Sequence, residues 1–165
     1  MTWQLAVPRA RVMWLLRLAV RVEAFRGPIG WRVGAFCRYR LARTWGVFIH
    51  PSATVGRVQF AHPTSIVIGE GVVLEDGVTI YQNTTFGARN MEEPGYPTVC
   101  RGATVYAGAS IVGKVTVGRN AVVGAHSVVA MDVPAGSTVV GAPARIVTSA
   151  SHPPARNATG FGRND

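Results

Sequence analysis

The sequence predicts a mainly β fold, a solenoid of short strands preceded by a short helical segment. Three observations carry this. From Val99 onward an aliphatic residue recurs at every sixth position: Val99, Val105, Ile111, Val117, Val123 and Val129. Four residues after each stands a small or β-branched one: Ala103, Ala109, Val115, Ala121, Ser127 and Val133. Turn formers fall between them, as in VGRNAV and VGAHSV. A period of six matches neither the ~3.6 of a helix nor the ~2 of a strand, which leaves a repeat architecture. Physically, three short strands make one coil of about eighteen residues, with the aliphatics filling a narrow core and small residues fitting its corners.

The segment before the repeats is basic and helical. Residues 8–25 read as a helix with Pro8 in its first turn, and Gly27-Pro28 break it. A second helix follows, in which Ile29, Val33, Phe36, Cys37, Leu41 and Trp45 form one apolar stripe interleaved with Arg32, Arg38, Arg40 and Arg43. Residues 1–47 hold nine arginines and one acid, a balance of +8, while residues 48–165 contribute only +1. The charge therefore belongs to the leader, not to the solenoid. Two roles stay open for residues 8–45: packing on the solenoid end or on a sister subunit, or a basic amphipathic face touching anionic lipid or a lipid-linked substrate. No recognised nucleic-acid motif accompanies the charge, so nucleic acid is not an expected partner.

Repeats begin near Ile49, slip by one residue around Phe60–His62, and resume at Ile68, Leu74, Ile80 and Phe86. Between Phe86 and Val99 the segment GARNMEEPGYPT has no repeat character and reads as an external loop, a natural place for function on a rigid scaffold. The repeats run to about Val139, GAPARIV closes the solenoid, and a polar tail follows. The chain is thus expected to divide into a leader at 1–47, a solenoid at 48–148 and a flexible tail at 149–165.

Bulk composition narrows the class. A hydrophobic content of 48% suffices for a packed core and argues against wholesale disorder. Two cysteines, Cys37 and Cys100, exclude a disulfide framework and lack metal-ligand spacing, so a reduced cytoplasmic compartment is expected. Arg9, Arg11, Arg17 and Arg21 cut the early apolar stretches, so neither a secretory signal nor a run of ~20 apolar residues able to span a bilayer is expected.

Three segments together resemble the hexapeptide-repeat acyltransferases, and among them the serine acetyltransferase-like branch, which includes polysaccharide O-acetyltransferases. They are IHPSATVG with HPTSIVIGE, then VTIYQNTTFG, then YAGASIVGKVTVGRNAVVGAHSVVAMDVPAGSTVVGAPARIV. The resemblance covers roughly residues 48–148. It implies a left-handed parallel β-helix, a homotrimer with active sites between subunits, and acetyl-CoA as co-substrate, with no metal. Ala107 and Ala125 match positions where the pantetheine arm passes close to the backbone, although every corner of such a solenoid also wants a small residue. Arg145 matches a basic residue near the nucleotide end.

Acetylating a hydroxyl needs a base at the acceptor oxygen and a donor for the thioester oxyanion. His62, in FAHPTS, matches the family's catalytic histidine, and imidazole titrates near neutral pH. Glu70 matches the glutamate of the family's V-G-E segment and is the carboxylate expected to assist His62; otherwise it is a solvated turn residue. A backbone N–H near His62 or at Gly87–Ala88 would hold the oxyanion. Three family positions are altered: the aspartate before I-H-P is Phe48, the aspartate before the histidine is Ala61, and the loop's Arg-His pair is Gly95-Tyr96. Neither a phenyl ring nor a methyl group holds an ammonium, and glycine holds no carboxylate. Tyr96, with Tyr81, Gln82 and Asn83, suits an uncharged acceptor such as a sugar hydroxyl in exopolysaccharide, capsule or lipopolysaccharide synthesis.

The expected function is therefore acetyl-CoA-dependent O-acetyl transfer to a saccharide. The alternatives are serine O-acetylation for cysteine synthesis and a non-catalytic trimeric scaffold. A zinc hydratase of the γ-carbonic anhydrase type also shares the fold, but His50, His62 and His126 lack paired ligand spacing. His50 is expected to cap a turn or line the site edge, and His126 to be exposed.

Overall fold

The computed structural model describes residues 28–148 except Met91, Glu93 and Pro94, together with Val12, Trp14, Leu15 and Leu18. Most of the helix expected at 8–25 and the whole tail at 149–165 lie outside the described residues. What is described is one helix followed by a parallel β-helix.

Helix α1 (Pro28–Trp45) ends at Gly46, whose φ of +65° only glycine adopts without strain and whose N–H donates to the Ala42 carbonyl at 2.9 Å. Its buried line is Gly30, Gly34, Cys37 and Leu41. This corrects the expected apolar stripe: Cys37 and Leu41 are buried, whereas Ile29, Val33 and Phe36 face outward. Two of the four residues on the buried line are glycines, and the larger apolar residues lie on the exposed side of the helix.

The strands build three faces of a prism. The first face holds β1 (Val47–Ile49), β4 (Ile66–Ile68), β7 (Thr85–Gly87), β10 (Ser110–Val112) and β13 (Val128–Val129). The second holds β2 (Thr54–Val55), β5 (Val73–Leu74), β8 (Thr98–Val99) and β11 (Thr116–Val117). The third holds β3 (Gln59–Phe60), β6 (Thr79–Ile80), β9 (Thr104–Val105), β12 (Val122–Val123), β14 (Thr138–Val140) and β15 (Arg145–Thr148). Neighbours on each face are parallel, except that β15 returns antiparallel to β14 and closes the last coil. That return is the closure expected from GAPARIV.

The six-residue period is the packing rule of this core. Ile68, Leu74, Ile80 and Phe86 point inward from successive faces, as do Val99, Val105, Ile111, Val117, Val123 and Val129. Each fully buried side chain of this kind contributes about 1.5–3 kcal/mol. The corner residues Ala103, Ala109, Ala121 and Ser127 are fully buried, and Ser127 is satisfied because its Oγ accepts the Gly141 N–H at 3.2 Å. Outside each corner the chain turns through left-handed positions. Along one edge these are Asn83, Gly108 and His126, at φ of +58°, +74° and +56°.

The slip near His62 has a specific form. Val55 to Phe60 is five residues, and Phe60 to Ile68 is eight, where regular coils use six and six. The surplus is extruded as a turn over residues 61–65, with Thr64 N–H donating to the His62 carbonyl at 2.8 Å and Ser65 at φ +53°. His62 thus stands on an enlarged corner between the third and first faces.

Candidate functional site

The predicted site residues fall on two different edges of the prism. His62, Asn83, Ala107 and Ala125 lie on the edge between the third and first faces. Glu70, Gly87 and Tyr96 lie on the edge between the first and second faces. Strand β4 separates His62 from Glu70 within one chain.

On the His62 edge, coil register decides what is adjacent. Because Phe60, Ile80, Val105, Val123 and Val139 are in register, the next residues along the edge are Ala61, Tyr81, Tyr106, Gly124 and Val140. The rings of Tyr81 and Tyr106 stack with centroids 4.9 Å apart, which matches the ~4.8 Å spacing of adjacent strands. The exposed His62 ring leans over Tyr81 at 6.1 Å and 55°. One position further come His62, Gln82, Ala107, Ala125 and Gly141. Beyond Gln82 this line carries nothing longer than a methyl group. The Gln82 Oε1 atom is buried and makes no hydrogen bond. Asn83 is explained by the turn: it is left-handed, exposed, and its N–H donates to the Thr64 carbonyl at 3.0 Å.

On the other edge, burial together with the neighbouring Glu70 carboxylate pushes the Tyr96 phenol above its ordinary value. Glu70 therefore lies by Tyr96, with strand β4 between it and His62 of the same chain. The Tyr96 ring lies on Gly71, where an added Cβ would stand 2.5 Å from it, and Gly71 has φ +61°. Gly95 is equally constrained, since a Cβ there would meet Lys114 N at 2.9 Å. Gly87 is not: nothing lies within 4 Å of a Cβ built on it. Below them, His50 Nδ1 is 2.9 Å from Ser52 Oγ and accepts the Ser52 N–H at 3.2 Å, while Ser52 Oγ accepts the Gly71 N–H at 3.1 Å. With Nδ1 accepting, His50 is the Nε2–H tautomer and caps its turn, as predicted.

The remaining carboxylates hold the frame together. Asp76 Oδ1 accepts the Arg57 N–H at 2.8 Å, and its Oδ2 takes the guanidinium at 2.7 and 3.1 Å. Glu75 and Asp132 accept the N–H groups of Arg101 and Thr116 at 2.8 and 2.7 Å. Arg145 is exposed at the start of β15, opposite Val140. Phe48 is 56% exposed on the outer side of β1, beside Val67. Burial raises the thiol pKa of both free cysteines, Cys37 and Cys100. Among the described residues no group of three or more His, Cys, Asp or Glu is placed to hold a metal, and no helix is long and apolar enough to cross a membrane.

The Tyr81–Tyr106 stack was only half visible beforehand. Tyr81 drew notice as a neutral polar group, but Tyr106 lies 25 residues away, across the external loop. Counting hexads with that loop removed is the signal that would have paired them.

No protein-family model matches the chain. Among curated proteins it is 41% identical over 119 residues to the serine acetyltransferase of Buchnera aphidicola subsp. Acyrthosiphon pisum, covering 70% of this chain and 43% of that protein. It is 46% identical over 104 residues to the serine acetyltransferase of Bacillus pumilus, covering 62% of this chain and 48% of the relative. A solved serine acetyltransferase in complex with CoA superposes with a TM-score of 0.76 at 33% identity, covering 87% of this chain and 58% of that one. Along its β-helix the chain is similar to serine acetyltransferases, and it has the fold of the hexapeptide-repeat acyltransferases. It spans less than half the length of these two curated relatives. On this fold, His62 and the small-residue line at Ala107 and Ala125 stand on one edge, and the Tyr96 loop stands on another.

Proposed function

We propose that the chain transfers the acetyl group of acetyl-CoA to a hydroxyl, with L-serine the acceptor that its relatives support. The observation that carries the transfer is His62, exposed on an extruded turn at the end of a line of small residues. Serine rests on the shared name of the relatives, and this reading displaces the saccharide as the first acceptor to test. His62 takes the hydroxyl proton as the oxygen forms a bond to the thioester carbon. The carbon–sulfur bond then breaks, and the departing thiolate recovers that proton to give the free thiol. Ala107 and Ala125 let a thin arm lie close to the backbone, Gly87 leaves room beside β7, and Arg145 offers a cation to a phosphate.

A trimer fits this reading. His62 and the Glu70–Tyr96 pair sit on different edges, so they converge only if one copy presents its loop edge to the His62 edge of the next. Glu70 then acts on acceptor or base across the interface, through Tyr96.

A second reading, a saccharide acceptor, is favoured by the Tyr81–Tyr106 stack beside His62 and by Phe48, Ala61 and Gly95. An aromatic face suits the C–H face of a sugar ring, and none of those three residues grips a zwitterion.

The test is release of CoA thiol from acetyl-CoA with L-serine and with a panel of pyranosides. Turnover with serine that falls about 10²–10⁴-fold in His62→Ala supports the main reading. Turnover confined to a pyranoside supports the second. Wild-type rates in His62→Ala remove His62 from the chemistry, and failure to bind CoA overturns both readings in favour of a scaffold.

A further inference from the structure

Helix α1 carries an outward face that does not look like a solvated one. Its buried line, Gly30, Gly34, Cys37 and Leu41, occupies one side. At about 100° per residue, Arg32, Phe36, Tyr39 and Arg43 fall opposite that line, with Ile29 and Arg40 beside them and Val33 on the flank nearer the buried line. Ile29 is 78% exposed, Phe36 60% and Tyr39 56%, and the three arginines are exposed as well. A helix on a soluble surface normally turns polar residues of both signs outward. This one contains no Asp or Glu at all. Trp14, in the preceding segment, is also 63% exposed.

The charge indicates what covers this face. A second copy meeting it face to face would set arginines against arginines, with no acid to pair them. The tail at 149–165 offers little, since it has one acid, Asp165, against Arg156 and Arg163. What matches large apolar groups interleaved with arginines, aromatics among them, is an anionic surface with an apolar layer directly beneath it. Arginine stems can lie along such a layer while their guanidinium groups remain at phosphate level.

We propose that the outer face of α1 docks this protein on an anionic lipid bilayer, with Ile29, Val33 and Phe36 entering the headgroup boundary and Arg32, Arg40 and Arg43 meeting lipid phosphates. Tyr39 lies at the same level, its hydroxyl 3.4 Å from the Arg43 guanidinium. The helix joins the β-helix at its first coil, through Gly46 and β1, so docking occurs at that end. Neither residue set belongs to the edges that carry His62 and Tyr96, so the inference does not depend on the acceptor or on catalysis.

The test is co-sedimentation of the full chain with vesicles of phosphatidylcholine alone and with about one-third phosphatidylglycerol, in low salt and at 1 M salt, where the Debye length is ~3 Å. The expected result is binding to the anionic vesicles only, released by salt. Neutralising one arginine should weaken partitioning about fivefold, and the triple change Arg32→Gln, Arg40→Gln and Arg43→Gln about a hundredfold. Phe36→Ser should weaken it while melting temperature and CoA binding stay at wild-type values, which separates docking from misfolding. Equal binding to both vesicle types, or none to either in low salt, overturns the proposal. A concentration-dependent oligomer that Phe36→Ser dissolves, without vesicle binding, assigns the face to a second copy instead.

Discussion

The rings of Tyr81 and Tyr106 stack with centroids 4.9 Å apart and 26° between their planes, one coil above the other, with His62 leaning over the Tyr81 side. Coil spacing and ring separation coincide, so the backbone itself holds the pair face to face. An offset aromatic pair contributes about 0.5–1.5 kcal/mol beyond its buried area. Tyr106→Ala should therefore lower the melting temperature by about 2–4 °C. On the saccharide reading it also raises KM for a pyranoside about tenfold while leaving KM for serine unchanged. Steady-state kinetics with both acceptors checks this.

Gly71 should not tolerate a side chain. Its φ of +61° costs a non-glycine residue about 1–2 kcal/mol, and a Cβ would press into the Tyr96 ring. Gly71→Ala is expected to be destabilising by more than the backbone cost alone. In a Tyr96→Ala background only the backbone part should remain, and a double-mutant cycle by thermal unfolding separates the two.

Acid should loosen the edge between the second and third faces. The Arg57 N–H and guanidinium hold the Asp76 carboxyl below its ordinary value of 3.8. A carboxyl depressed by folding contributes stability that is present above its ordinary pKa and is lost as pH falls through the folded value. Melting temperature should therefore drop below about pH 4 more steeply in the wild type than in Asp76→Asn. The variant should be less stable at neutral pH, with its stability there less sensitive to added acid.

Gln82 occupies the coil above His62 at the same register, and its buried Oε1 has no partner. Leaving such an acceptor unsatisfied costs about 1–3 kcal/mol. Gln82→Met should keep or raise the melting temperature and lower turnover about tenfold. Glu in its place should restore turnover with a shifted pH profile. If turnover in Gln82→Met stays at the wild-type level, Gln82 has no part in positioning His62.

Much of the fold was legible from residue order. A narrow prism admits one aliphatic per face per coil, so the core writes itself as a period of six, and Ile68, Leu74, Ile80 and Phe86 are buried where that period placed them. The slip at His62 and the loop before Tyr96 were legible for the same reason, as breaks in a strict count. Helix α1 was read less well. Spacing of three and four identifies a helical face, but it does not say whether Ile29 and Phe36 or Gly30 and Gly34 turn inward, because glycine carries no hydrophobic signal.

The sequence by itself determined the β-helix, its corners and its closure, because each follows from a local periodic constraint. Tertiary structure alone decided which side chains meet. It set Glu70 beside Tyr96 on a different edge from His62, paired Tyr81 with Tyr106 across the loop, and turned Ile29 and Phe36 of α1 outward. These are relations between coils and between helix and prism. They depend on register and on which face packs, and a one-dimensional pattern leaves both undetermined.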